Sequence, residues 1–222
     1  MATIAVVAKS YNQYCPVARA LELVGERWSL LIVRELIEEG PLRYSDLHSR
    51  LEHCGTNILA ARLKDLEGGG VIRRRRLPPP AASTVYELTE YGQGLQPVLH
   101  QLAHWGARSL GPPTAPDQLE PGWLPGALRM ALPQSCTGAT IDFRIGDEAA
   151  YVEDGAIRAG SSVRPDAVVE GDPGGLFRML VDRELDGVTV RGSKSVVRQL
   201  LETLPAPCPY PTASEDLLAA AS

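Results

Sequence analysis

A chain of 222 residues with 44% apolar and 22% charged content has room for one large or two small domains, and it lacks any apolar run near the roughly 20 residues a membrane-spanning helix needs. With no basic leader at its start it reads as cytoplasmic, with no membrane partner. Its net charge of −5 conceals a division: residues 1–112 hold 13 Lys and Arg against 11 Asp and Glu, a balance of +2, and residues 113–222 hold 9 against 16, a balance of −7.

Residues 16–37 carry helical periodicity, with Leu21, Val24, Trp28, Leu31, Ile32 and Leu36 stepping by three and four. Gly25 divides this stretch into two helices, the second beginning at Trp28, and Gly40-Pro41 ends it. Ser45-Asp46 then predicts the cap of a short helix ending near Leu51, and Gly55 supplies a turn. Thr56 predicts the cap of the next helix, residues 56–67, with Leu59, Leu63 and Leu66 as its inner stripe. Gly68-Gly69-Gly70 stop that helix. Residues 71–77 and 84–88 read as two strands of a hairpin with Pro78-Pro79-Pro80 at its tip, where no ladder hydrogen bond is needed. Thr89 opens one long helix to Leu110, striped by Leu95, Val98, Leu99, Leu102 and Trp105.

Residues 111–126 are rich in Pro and Gly and read as a linker. Beyond it the period changes to two, with Ile141, Phe143 and Ile145 alternating with Asp142 and Arg144. Further strands fall at 149–153, around Ile157, at 167–170 and at 188–191, with Asp154-Gly155 as a hairpin turn. Asp172-Pro173 caps one helix, and Ser193 caps another that Pro205 ends. The domain plan is therefore residues 1–110, a linker at 111–126, an α+β domain at 127–205 with a mainly antiparallel sheet, and a flexible tail at 206–222.

The four cysteines, at 15, 54, 136 and 208, form no C-x-x-C pair, so they read as free thiols and not as a zinc site. His100 and His104 stand four apart, but Gln101 replaces the Glu a metalloprotease helix would need. No nucleophile–base–acid set or phosphate loop is visible, and neither a metal, a cofactor nor catalysis is implied.

Helix, turn, helix and hairpin in this order form a device for double-stranded DNA. On a wheel of residues 56–67, Asn57, Ala61 and Lys64 lie opposite the leucines, on a face suited to the major groove. Asn57 can bond adenine, Ala61 admits close approach or touches a thymine methyl, Lys64 binds guanine or phosphate, and Arg62 reaches backbone phosphate. The bland alternative is a merely solvated helix face. Arg43 and Ser45 are placed to hold phosphate at the start of the first helix of the motif, with simple helix capping as the alternative, and Thr56 is counted among the DNA-binding residues. Arg73, Arg74, Arg75 and Arg76 alternate along a strand, so two at most meet DNA directly, with which pair left open. The other pair is expected to bridge to Glu67, Glu87 or Glu90.

Residues 15–105 resemble the HxlR family of bacterial winged-helix regulators, relatives of MarR. The resemblance is carried by Cys15-Pro16, by Gly25 with Arg27-Trp28, by Leu42-Arg43-Tyr44-Ser45-Asp46-Leu47, by Leu59 with Arg62-Leu63-Lys64-Asp65-Leu66, and by Tyr86-Glu87-Leu88-Thr89-Glu90-Tyr91-Gly92. It implies a homodimer whose interface is made by the N-terminal segment and the helix after the wing. It also implies that Cys15, with Arg19 four residues on, is a candidate redox sensor, against the plainer role of a small buried residue. Residues 139–204 resemble more weakly the sterol carrier protein type 2 fold, which implies an apolar tunnel for a small apolar ligand. Ile141, Phe143, Phe177, Leu180, Val197 and Leu201 are its candidate lining, or else plain core.

The expectation is a mainly α winged helix-turn-helix domain followed by a small α+β domain, in a dimeric DNA-binding regulator of repressor type. The C-terminal domain binds an effector or extends the dimer. The competing reading is a ligand-carrying or scaffold protein whose winged helix contacts protein.

Overall fold

The computed structural model describes residues 10–113, 119, 122–133 and 138–204. The expected linker lies partly, and the expected tail at 206–222 wholly, outside the described residues. The chain divides into two compact units, one ending at Leu99 and the other beginning at His100. Among the described residues no helix is long and apolar enough to cross a membrane.

In the first unit, α1 (Pro16–Val24) and α2 (Ser29–Glu39) are separated by Gly25, whose N–H returns to Leu21 O at 2.8 Å. A Cβ at Gly25 would lie 2.5 Å from that carbonyl. Trp28 does not begin α2; it is the N-cap, in the left-handed region at φ 80°, with the Arg27 guanidinium 5.5 Å from its ring centroid.

Helices α3 (Tyr44–Arg50) and α4 (Thr56–Gly68) each have their N-cap one residue or more before the expected one. Arg43 is the N-cap of α3, and its N–H donates to Asp46 Oδ2 at 3.0 Å, so Ser45 lies inside the helix. Gly55 caps α4, and Thr56 is its first residue with no capping bond from its side chain. Ser and Thr are good cap types, but Asp46 already closes the first turn of α3 from the N3 position. The Tyr44 hydroxyl donates to Thr56 O at 2.9 Å and pins the two helix starts together. At the other end of α3, Arg50 reaches Glu39 at 3.2 Å and the buried Glu35 at 3.5 Å, tying α3 to α2.

Leu59, Leu63 and Leu66 point into one core with Ile32, Val33 and Leu47, as their spacing requires. Gly70, at φ +72°, turns the chain from α4 into a hairpin of β1 (Ile72–Arg76) and β2 (Thr84–Leu88). The register pairs Ile72 with Leu88, Arg73 with Glu87, Arg74 with Tyr86, Arg75 with Val85 and Arg76 with Thr84. Leu42 and Tyr86 exchange backbone bonds at 3.0 and 2.7 Å, which fastens the hairpin to the segment before α3.

The single helix expected from Thr89 to Leu110 is broken into α5 (Glu90–Gln93) and α6 (Gln96–Leu110). Pro97 explains the break: it has no N–H and its ring would strike the carbonyl of the residue four before, so it is tolerated only in a first turn. Thr89 does cap α5, accepting from Gly92 N at 3.0 Å.

The second unit holds a five-stranded sheet in the order β5-β4-β3-β6-β7: β3 (Ile141–Ile145), β4 (Glu148–Glu153), β5 (Ala156–Ala159), β6 (Ala167–Gly171) and β7 (Val188–Gly192). Only β3 and β6 pair in parallel; the other three pairings are antiparallel. Ile141, Phe143 and Ile145 face a core shared with α7 (Trp123–Ala131) and α9 (Lys194–Thr203). Asp142 and Arg144 lie on the opposite face of β3. Helix α7 begins within the stretch read as linker, because Pro125 and Gly126 fall in a first turn that tolerates them. Asp172 caps α8 (Pro173–Phe177) by accepting from Gly175 N at 2.7 Å, and a π-helical turn at Arg178–Asp182 follows.

Two glycines test this packing in opposite directions. A Cβ on Gly92 would sit 2.0 Å from Val71 O, whereas one on Gly68, at the end of α4, meets nothing within 4 Å. Gly92→Ala is therefore expected to destabilise by about 1–3 kcal/mol and Gly68→Ala to stabilise by about 0.4–1 kcal/mol, read as opposite shifts of the urea midpoint.

Candidate nucleic-acid interface

Helix α4 buries its leucines and turns Thr56, Asn57, Ala61 and Lys64 to solvent. Asn57, Ala61 and Lys64 thus share one exposed face of a helix whose other face is anchored in the core. Beside them stands Ile58, a large apolar side chain left 48% exposed, which the sequence reading passed over. Its signal was its position: one residue before Leu59, it falls off the stripe that the leucines define.

Arg62 behaves differently from the expectation of a phosphate contact. Its side chain is 18% exposed and lies 3.2 Å from Glu26 and 3.1 Å from Asp65. In this arrangement it braces α4 against the turn between α1 and α2. Arg43 and Ser45 are exposed at the start of α3, with the Ser45 hydroxyl 3.2 Å from Asp46 Oδ1.

The four hairpin arginines are exposed, and three are held by carboxylates. Arg73 and Arg75 share a face and both donate to Glu87, at 2.8 and 2.7 Å. Arg74, on the other face, reaches Glu67 of α4 at 2.8 Å. Arg76 forms no ion pair among the described residues. The strand alternation thus separates the arginines as expected, but the ion pairs do not sort by face. The hydrogen bond from Arg75, reinforced by that from Arg73, holds the Glu87 carboxyl below the usual carboxylate range against the opposing effect of its burial.

Cys15 is half-buried as the N-cap residue of α1 and is a free thiol. Arg19, the residue expected to act on it, pairs with Glu22 at 2.9 Å. Cys54 is buried, and burial pushes its thiol pKa up while the charge of Arg62 opposes this. Of the residues proposed to line a tunnel, Ile141, Phe143, Leu180 and Val197 belong to the packed core of the second unit, and Leu201 packs against it. Phe177 is half-buried.

Residues 23–113 match a family model described as HxlR-like helix-turn-helix. The uncharacterized HTH-type transcriptional regulator YvaP of Bacillus subtilis (strain 168) is 31% identical over 102 residues, covering 46% of this chain and 94% of that protein. The HTH-type transcriptional regulator YodB of the same organism is 33% identical over 95 residues, covering 42% of this chain and 84% of that protein. The solved reduced form of YodB from B. subtilis is 32% identical, covers 46% of this chain and 100% of its own, and has a TM-score of 0.40.

The lowered Glu87 pKa has a signed consequence. Because the folded-state value is depressed, this carboxylate's stabilising contribution is complete above the ordinary unfolded value and is lost as pH falls through the folded one. The urea midpoint of the native chain is expected to drop more steeply below about pH 5 than that of Glu87→Gln, which lacks the titrating group.

Proposed function

The chain belongs to the HxlR-like helix-turn-helix family of DNA-binding transcriptional regulators, and we propose that it is a homodimeric repressor that reads a pseudo-palindromic operator through α4 and the arginine hairpin. The observation that carries this reading is the exposed Asn57–Ala61–Lys64 face on a helix fixed by three buried leucines, beside a wing with four exposed arginines. In this reading Asn57 addresses a base edge and Ala61 permits close approach, while Lys64, Arg43 and Arg76 contact phosphate or guanine. Arg62 acts indirectly, by holding α4 in place.

The dimer rests on α6, where Val98, Leu102 and Trp105 recur at helical spacing and remain exposed, Trp105 at 68%. Two copies related by a two-fold would present two α4 helices to half-sites about 34 Å apart. For the second unit, we assign extension of the dimer before ligand binding, since four of the six candidate lining residues are occupied in its core. Its sheet backed by helices supports the sterol-carrier-like resemblance as a proposal about its ancestry.

Nuclease footprinting on the chain's own upstream region tests this. A protected pseudo-palindrome is expected, and Asn57→Ala should lose about 1–3 kcal/mol of discrimination between operator and random duplex while binding random duplex as before. No protected site at modest salt would support the alternative in which the winged helix contacts protein.

A further inference from the structure

One carboxylate sits beneath two arginines on one face of the wing. Arg73 and Glu87 are direct cross-strand partners, and Arg75 follows two residues along on the same face. Both guanidinium groups donate through Nε, Arg73 to Glu87 Oε1 at 2.8 Å and Arg75 to Oε2 at 2.7 Å. The Glu87 side chain is only 12% exposed, whereas those of Arg73 and Arg75 are 65% and 44% exposed. A guanidinium has five N–H donors in a rigid fork, and occupying Nε leaves the Nη groups for another acceptor. Each oxygen of the carboxylate therefore fixes the roll of one fork.

We propose that Glu87 is a positioning and charge-setting residue for the wing: it aims the Arg73 and Arg75 forks at backbone phosphate and cancels one of their two charges, so that the pair acts as a single cation. This rests on the reading of the chain as a duplex-DNA binder. Glu67 does the same for Arg74, so four arginines with two glutamates carry a net +2 and not +4. The consequence is for specificity. Non-specific binding is essentially electrostatic, and each uncompensated cation strengthens binding to every sequence. Muting the wing leaves discrimination to α4.

The experiment is the salt dependence of binding to a random-sequence duplex, measured by fluorescence anisotropy with the full chain. Glu87→Gln removes the charge and keeps one acceptor. It is expected to bind more tightly at low salt, with the slope of log K against log salt steeper by about 0.9, one additional phosphate contact. Adding Arg75→Gln to it should return the slope to that of the native chain. Glu87→Asp keeps the charge but is too short to hold both forks; it should keep the native slope and bind more weakly. A Glu87→Gln chain that melts earlier yet keeps the native slope would mean that Glu87 only braces the hairpin, and would overturn the proposal. If Glu87→Gln fails to fold, the Glu87→Asp arm decides: native slope with weaker binding supports it, and unchanged affinity and slope overturns it. A native chain that binds no duplex even at the lowest salt would sink the regulator reading as well, whereas a native chain that binds with all slopes equal sinks only the role of Glu87.

Discussion

The aim of the wing depends on one close approach between backbones. Gly92 lies against the carbonyl of Val71, where no other residue fits, because a Cβ would be 2.0 Å from that oxygen. Around this contact Thr89 N donates to Val71 O at 3.0 Å, and the Thr89 hydroxyl donates to Gly70 O at 2.6 Å. On the other side Val71 N returns to Leu66 O, in α4, at 2.9 Å. The end of α4, the start of β1 and the start of α5 are thus joined by backbone hydrogen bonds, which hold relative orientation better than flexible side chains do. A helix in one groove and a wing on the flanking phosphates work together only if their offset is fixed, and this junction fixes it.

On that frame the electrostatics are local and largely neutralised. Counting charges suggests a strongly basic wing; the ion pairs of Glu67 and Glu87 reduce it, as those of Glu26 and Asp65 do for Arg62. Exposed ion pairs contribute little to stability in general. Their larger effect here is on orientation, since each guanidinium is held in one roll. The acidic excess of residues 113–222 lies outside the sequence stretch that holds α4 and the wing, so the whole-chain sum does not describe the charge of that stretch.

Much of this was legible because it is periodic or local. Leu59, Leu63 and Leu66 mark the inner face of α4, the prolines mark the hairpin tip, and Ile141, Phe143 and Ile145 mark a half-buried strand. The break between α5 and α6 was hidden because the apolar stripe runs on through Leu95 and Leu99, whereas Pro97 acts on the backbone and not on the stripe. Helix α7 was hidden by Pro125 and Gly126, although Leu124 and Leu128 stand at helical spacing and both enter the core. The pairing of Arg62 with Glu26 was not legible at all: it joins residues from separate helical segments whose meeting is a product of tertiary packing. At the site, the sequence marked the exposed face of α4 but not which cations are already held.

Helix α6 shows how one break serves two surfaces. Pro97 falls in the first turn of the helix that follows α5, and Leu99 lies in the first core with Leu95 packed beside it. Val98, Leu102 and Trp105 then fall on a different face of the same helix and remain uncovered. Had the helix run unbroken from Thr89, the close contact of Gly92 with Val71 would have fixed the direction of the whole helix and so of both faces. Separated by the break, α5 answers to the wing and α6 to the core. In the proposed dimer, covering a large apolar side chain contributes about 1.5–3 kcal/mol, so the face of α6 supplies an association energy without any demand on the residues that aim α4. In the proposed dimer the fixed wing and the apolar helix face would fall on adjacent segments, α5 and α6, with the break between them.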